Sequence, residues 1–328
     1  MASAEQLKAL ILSHAEGNET RFYRVALQVA AHHARLGHEA VAKELREAVG
    51  TAQKRSQTPS RKPIPIARPS GALEELLKAS YPNARLNDLI MPNQSLLSLQ
   101  RILKEHRRSS ELIKHGLRPR RKLLFFGPPG TGKTATAHAL AGELQLPLFV
   151  VRFEGLITRY MGETAAKLSL IFQAMNDTCG VYFFDEFDAI GSQRSSKNDV
   201  GEIRRVLNSF LQFIEEDESQ SLLIAATNHG EMLDKALFRR FDDVISYELP
   251  SLEQLTETLK RCLEPFGATD LDWPNLAHEA QGLSYADVIR ACEDTAKDMI
   301  LEDRETLSSD TLLQTLQMRK HSQREFGK

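Results

Sequence analysis

The stretch FFGPPGTGKT at residues 125–134 joins an apolar strand end to a turn holding three glycines, two prolines, a lysine and a threonine. Glycines at these positions let the backbone fold tightly and bring its N–H groups close to an anion. A helix starting just beyond them adds a favourable dipole, and phosphate is the anion that fits. The spacing GxxxxGK[ST] is that of a P-loop. Gly127, Pro128, Pro129, Gly130, Thr131 and Gly132 would form the cradle, Lys133 would reach the terminal phosphates, and the Thr134 hydroxyl would hold a magnesium ion. A chance glycine-rich turn is the competing explanation, and the strand before it and helix after it argue against that.

A phosphate cradle needs a metal partner and a way to activate water. In VYFFDE a buried strand ends in Asp185 and Glu186, placing two carboxylates at the C-terminal edge of a sheet, where ligands bind in such folds. Asp185 would orient the magnesium ion, and Glu186 would position or deprotonate the attacking water. In isolation, two surface acids ending a strand would look the same. LLIAATN ends in Asn228, whose neutral side chain could hydrogen-bond that water or the γ-phosphate, although asparagine also ends strands for local reasons.

Five short apolar runs position these groups: residues 122–126, 148–153, 181–185, 222–227 and 243–247. They are apolar at nearly every position, which suits strands buried on both faces of a parallel sheet covered by helices. The fold class is therefore α/β. From Pro250 onward helical spacing takes over, as in Leu255, Leu259 and Leu263, then Val288, Cys292 and Ala296, so a smaller helical domain is expected over 251–328 behind a large one over 72–250.

Residues 1–50 carry apolar side chains at helical spacing, among them Phe22, Val25 and Val29, and predict a small helical module that docks on something, because it buries too little surface alone. Residues 51–71 bring Pro59, Pro63, Pro65 and Pro69 close together, the signature of an extended linker. Over 328 residues the formal net charge is −2, so no global excess of positive charge favours nucleic acid. Neither a membrane span nor a signal peptide is apparent, which predicts a cytoplasmic protein. Cys179, Cys262 and Cys292 match no metal-ligand spacing and are expected to be buried thiols. Basic residues between Lys104 and Lys122 could face DNA, but without interleaved aromatics a solvated face is the stronger reading.

Together GPPGTGKT, VYFFDEFDAIG, AATN and DKALFRRFDDVI resemble the AAA ATPases in order and spacing, over roughly residues 86–300. The resemblance implies ATP and Mg2+ as cofactors, ATP hydrolysis, a five-stranded parallel sheet in the order 5-1-4-3-2 with a helical lid, and assembly into rings, usually hexamers. It also implies that Arg239 and Arg240 match the arginine fingers that reach the γ-phosphate of a neighbouring subunit. Their adjacency is similar to the microtubule-severing and membrane-remodelling branch and leaves open which of them touches the nucleotide. In the lid, GLSYADVI has Tyr285 where the family usually shows glycine, which puts the usual contacts near Ala286 in question.

The stretch EGLITRYMGET at 154–164 resembles the family's first pore loop, so Arg159, Tyr160 and Met161 would grip an extended polypeptide in the ring channel. An aromatic and an aliphatic side chain can hold many sequences by stacking and dispersion. Residues 191–201 match the second pore loop in position only. ETRFYRVALQVAAHHARLGHEAVAKELR is similar to bacterial AAA ATPases encoded beside a subtilisin-like serine protease, in toxin–antitoxin or phage-defence pairs. Two function classes follow: a ring-forming remodeller that threads a protein, and a regulatory module whose nucleotide state controls its grip on a partner such as that protease. A DNA-acting loader is disfavoured by the charge and by Tyr160.

Overall fold

A computed structural model describes residues 69–152, 156, 161–187, 199–228, 238–268, 271–304 and 306–326, together with 26, 29–31, 33 and 41–43. The chain divides into two compact units, Met1–Ile66 and Ala67–Lys328. Of the first unit, Val29, Ala30 and Ala42 are buried helical residues.

In the second unit a short helix α1 (Ala72–Leu76) leads directly into strand β1 (Leu77–Ser80), then helices α2 (Asn93–Arg107) and α3 (Ser109–Lys114). Strand and helix alternate from there as far as β5: β2 (Lys122–Phe126), α4 (Lys133–Leu144), β3 (Leu148–Val151), α5 (Met161–Asp177), β4 (Val181–Phe184), α6 (Asp199–Glu216) and β5 (Leu222–Thr227); strand β6 (Asp243–Ser246) comes next among the described residues. Four helices close the chain: α7 (Leu252–Leu263), α8 (Trp273–Ala280), α9 (Tyr285–Leu301) and α10 (Ser309–Phe326).

The sheet has six strands in the order β1-β3-β4-β5-β2-β6. The five strands expected from the sequence are parallel neighbours in the expected 5-1-4-3-2 order, and the count of five is corrected by β1, which pairs antiparallel with β3. Leu77 is the one fully buried residue in β1, so its four residues carry almost no apolar signal. Every residue of β4 and β5 is buried, as strands with both faces covered require.

A core of Phe172, Phe184, Phe187 and Phe210 with aliphatic neighbours lies under α5 and α6. Helix α4 is buried nearly all round, and its small residues Thr136, Ala137, Ala139 and Ala141 let it lie close against the sheet. A second core belongs to the closing helices: Leu255, Leu259 and Leu263 of α7 meet Val288, Ala291 and Cys292 of α9 and Leu312 and Leu316 of α10. Ser251 with Gln254, and Ser284 with Asp287, form reciprocal capping boxes that fix where α7 and α9 begin.

The basic residues ahead of β2 are largely committed to acids. Arg107 pairs with Glu143, Arg118 with Glu218, Arg120 with Glu105 and Asp243, and the largely buried Arg121 with Asp217. The cysteine expectation needs correction: Cys292 is buried, whereas Cys262 is half-buried and Cys179 is exposed.

Candidate active site

Strand β2 lies between β5 and β6 and delivers the chain into the turn that precedes α4. At Gly127, φ is +146°, and a Cβ built there would fall 2.1 Å from the Tyr247 carbonyl oxygen. Any side chain would push the turn off the neighbouring strand end. Gly130 has φ +73°, and a Cβ there would meet Ser284 Oγ at 2.4 Å. The helical lid therefore packs on the loop backbone itself, and Ala286 N donates to Gly130 O at 3.1 Å.

Lys133 is 6% exposed, and its Nζ donates to the carbonyls of Gly127 (2.6 Å) and Pro128 (2.8 Å). A buried ammonium held by loop carbonyls is already placed for an anion in the cradle. Thr131 Oγ1 donates to Pro128 O at 2.7 Å and braces the turn.

Thr134 Oγ1 donates to Asp185 Oδ2 at 2.9 Å, while Asp185 Oδ1 accepts from Glu186 N at 3.0 Å. A hydroxyl and a carboxylate side by side form a hard-oxygen set of the kind magnesium takes, with water and substrate phosphates completing its shell. These residues fit the ion. Glu186 itself has φ +50°, an uncommon backbone for a non-glycine residue. Phe187 explains it: its N donates to Ala226 O at 2.9 Å and its ring is buried against Phe210, so the chain turns sharply after β4 and leaves the Glu186 side chain exposed.

An open cleft of about 450 Å³ runs along this edge. Pro129 through Thr134, Asp185, Glu186 and Asn228 line it, so the sequence-predicted cradle and carboxylates meet in one place. Leu89, Ile90, Met91 and Ile289 give the same cleft an apolar lining, with Tyr247, Thr258, Arg261, Cys262, Tyr285 and Ala286. Sequence reasoning had flagged Tyr285 and Ala286 and missed the others. The run at 243–247, which carries Tyr247 just past strand β6, is the one available signal.

The comparisons agree with this geometry. The family model for the ATPase family associated with various cellular activities (AAA) matches residues 123–249. An uncharacterized AAA family ATPase, y4kL of Sinorhizobium fredii, is 33% identical over 317 residues, covering 97% of this chain and 95% of that protein. The chain belongs to the AAA family of ATPases. A proteasome-activating nucleotidase of Methanopyrus kandleri is 30% identical over 244 residues, 72% of this chain and 56% of that one. An ATP-dependent zinc metalloprotease FtsH of a Sulfurovum species is 28% identical over 257 residues, 76% of this chain and 38% of that one. The chain thus spans about half the length, or less, of these two relatives. The crystal structure of the FIGL-1 AAA domain matches with a TM-score of 0.59 at 21% identity, over 76% of this chain and 92% of that domain, a likeness of fold.

Like its family, this AAA protein is an ATPase that hydrolyses ATP. The expected arginine fingers stand away from the cleft. Arg239 is exposed and makes no ion pair among the described residues, whereas Arg240 Nε pairs with Glu215 at 2.5 Å, and neither lines the cleft of its own chain. Arg159 and Tyr160 of the expected pore loop, and residues 191–198 of the second, lie outside the described residues, while Met161 opens α5. No helix among the described residues is long and apolar enough to cross a membrane.

Proposed function

We propose that this AAA ATPase works as a Mg2+-dependent homo-oligomeric ring, a hexamer, that remodels or threads a protein substrate. The observation that carries the reading is the contact of the lid with the phosphate loop through Gly130 and Ala286. A change in what the cradle holds would alter the seat of the lid, which gives hydrolysis a way to become motion. The names of the relatives, a proteasome-activating nucleotidase and an ATP-dependent protease, support protein as the substrate class.

Within the site, Lys133 would hold the phosphates and Thr134 with Asp185 would hold the metal. Bound there, magnesium would neutralise charge that develops on the phosphate oxygens. Glu186, exposed at the rim and fixed by its backbone, would orient and deprotonate the attacking water, with Asn228 beside it. Arg239, with Arg240 next to it, would act across a subunit boundary, since its own cleft lies elsewhere. The reading places the protein in the cytoplasm. Its alternative is a nucleotide-controlled partner of a protease, in a toxin–antitoxin or phage-defence pair.

Light scattering coupled to size exclusion tests the ring. Glu186→Gln protein with ATP and Mg2+ should run at about six times its monomer mass, and a monomer across all concentrations would remove the ring and leave the switch.

A further inference from the structure

The start of α9 presents four residues whose hydrogen bonds can be accounted for one by one. Ser284 Oγ donates to Asp287 Oδ2 at 2.6 Å and accepts from Asp287 N at 3.3 Å, so both residues are committed to capping the helix. Ala286 gives its N–H to Gly130. Tyr285 differs. Its hydroxyl is buried and has no hydrogen-bond partner among the described residues, and its side chain lines the nucleotide cleft.

Nothing local explains that hydroxyl. The first helical position needs no aromatic, tyrosine is an unexceptional helix former, and phenylalanine would fill the same space. A buried hydroxyl left unpaired loses its hydration without gaining a partner and so destabilises the fold. Burial also raises the phenol to about 12, so it stays a neutral donor over the working range of pH. A group that is unfavourable in the free protein and idle in its packing is explained if a ligand supplies the missing acceptor.

Position along the cleft indicates which part of the ligand. The residues flanking Tyr285 touch the phosphate loop at Gly130, and Ile289, one turn further along α9, belongs with Leu89, Ile90 and Met91 to the apolar lining of the cleft, which suits a planar base. Between phosphates and base lies the sugar. We propose that Tyr285 is a specificity-determining residue whose phenol hydrogen-bonds a ribose hydroxyl of the bound nucleotide. The hydroxyl reaches it by rotation of a side chain that already borders the cleft. The inference rests on this cleft being the nucleotide site.

Titration calorimetry with ADP, 2′-deoxy-ADP and 3′-deoxy-ADP on wild type, Tyr285→Phe and Lys133→Ala tests it. Tyr285→Phe should weaken ADP roughly three- to tenfold, the worth of one hydrogen bond. It should also abolish the preference of wild type for ADP over one of the two deoxy analogues. The nucleotide-free variant should melt at or above the wild-type temperature, because an unpaired polar group has gone. A merely structural tyrosine would instead lower the melting temperature and leave the analogue preference intact. Unchanged ADP affinity, or equal loss for ADP and both analogues, would overturn the assignment to the sugar. Lys133→Ala separates the two layers: if it binds ADP like wild type, the cleft itself has been misassigned; if it alone loses ADP, only the role of Tyr285 fails.

Discussion

Ala286 donates its backbone N–H to the carbonyl of Gly130 at 3.1 Å, so the first turn of lid helix α9 is bonded to the middle of the phosphate loop. Added bulk at Gly130 acts on both sides of this junction. Gly130→Ala forces a left-handed φ on alanine and sets its methyl against Ser284 Oγ. Stability should fall by at least about 1 kcal/mol, and nucleotide affinity should fall with it. Thermal melts with and without ADP check this, and a variant that melts like wild type and gains the same increment from ADP would show that the junction does not matter.

Lys133 and Glu186 should fail in different ways. Lys133→Ala removes the buried cation between two loop carbonyls and should abolish ATP binding. Glu186→Gln leaves the cradle intact and removes the base, so it should bind ATP and turn it over about 10²-fold more slowly or worse. Binding and single-turnover assays on the two variants decide it, and equal loss of ATP affinity in both would contradict these roles.

Much of this site could be read from the sequence because the decisive residues are contiguous. A cradle formed by eight successive residues, or two carboxylates ending an apolar strand, depends on local backbone alone. The apolar lining from Leu89, Ile90, Met91 and Ile289, and Arg261, were not legible, since segments far apart in sequence meet at the cleft only after the lid has packed. Strand β1 escaped notice because an edge strand of four residues with one buried side chain has no periodicity to detect. Cys262 was misjudged for a related reason. It stands seven residues after Leu255, on the apolar stripe of α7, yet the cleft opens beside it.

That exposure makes Cys262 a reporter of nucleotide binding. Hydrogen bonding from the neighbouring Cys292 thiol holds Cys262 below the usual thiol range, while Cys292 is pushed up by that same interaction and by burial. A thiol reagent near neutral pH should label Cys179 and Cys262 in the native protein and spare Cys292. ADP should slow Cys262 alone, since Cys179 is not among the residues lining the cleft. Peptide mapping reads this out; labelling of Cys262 at the same rate with saturating ADP would place the nucleotide elsewhere.

The two arginines after Phe238 should separate. Arg240 is held by Glu215 on α6, whereas Arg239 is exposed, and we expect Arg239 to be the residue that reaches a neighbouring subunit. Arg239→Ala should keep ATP affinity and lose turnover by on the order of 10³-fold. Arg240→Ala should resemble Glu215→Ala, with a smaller loss. Mixing Arg239→Ala with Lys133→Ala subunits should restore part of the activity, because each supplies what the other lacks. If mixed rings demonstrably form and no mixture recovers turnover, catalysis across the interface loses its support.

Tyr160 separates a threading machine from a nucleotide-controlled switch. Its place in EGLITRYMGET, outside the phosphate cradle, makes it the expected grip on a translocating chain. In a threading enzyme the energy of hydrolysis reaches the substrate through that grip, so Tyr160→Ala should cut the amount of partner remodelled per ATP hydrolysed at least tenfold. A switch transmits its state through differential affinity for the partner, and the ratio would then be insensitive to Tyr160 unless the partner contacts this loop. Partner affinity measured in the ATP-bound and ADP-bound states identifies that exception. The decisive quantity is the activity or folded state of the partner at matched ATP turnover, wild type against Tyr160→Ala. Equal control of the partner by both proteins would rule out threading and leave the binding module as the function.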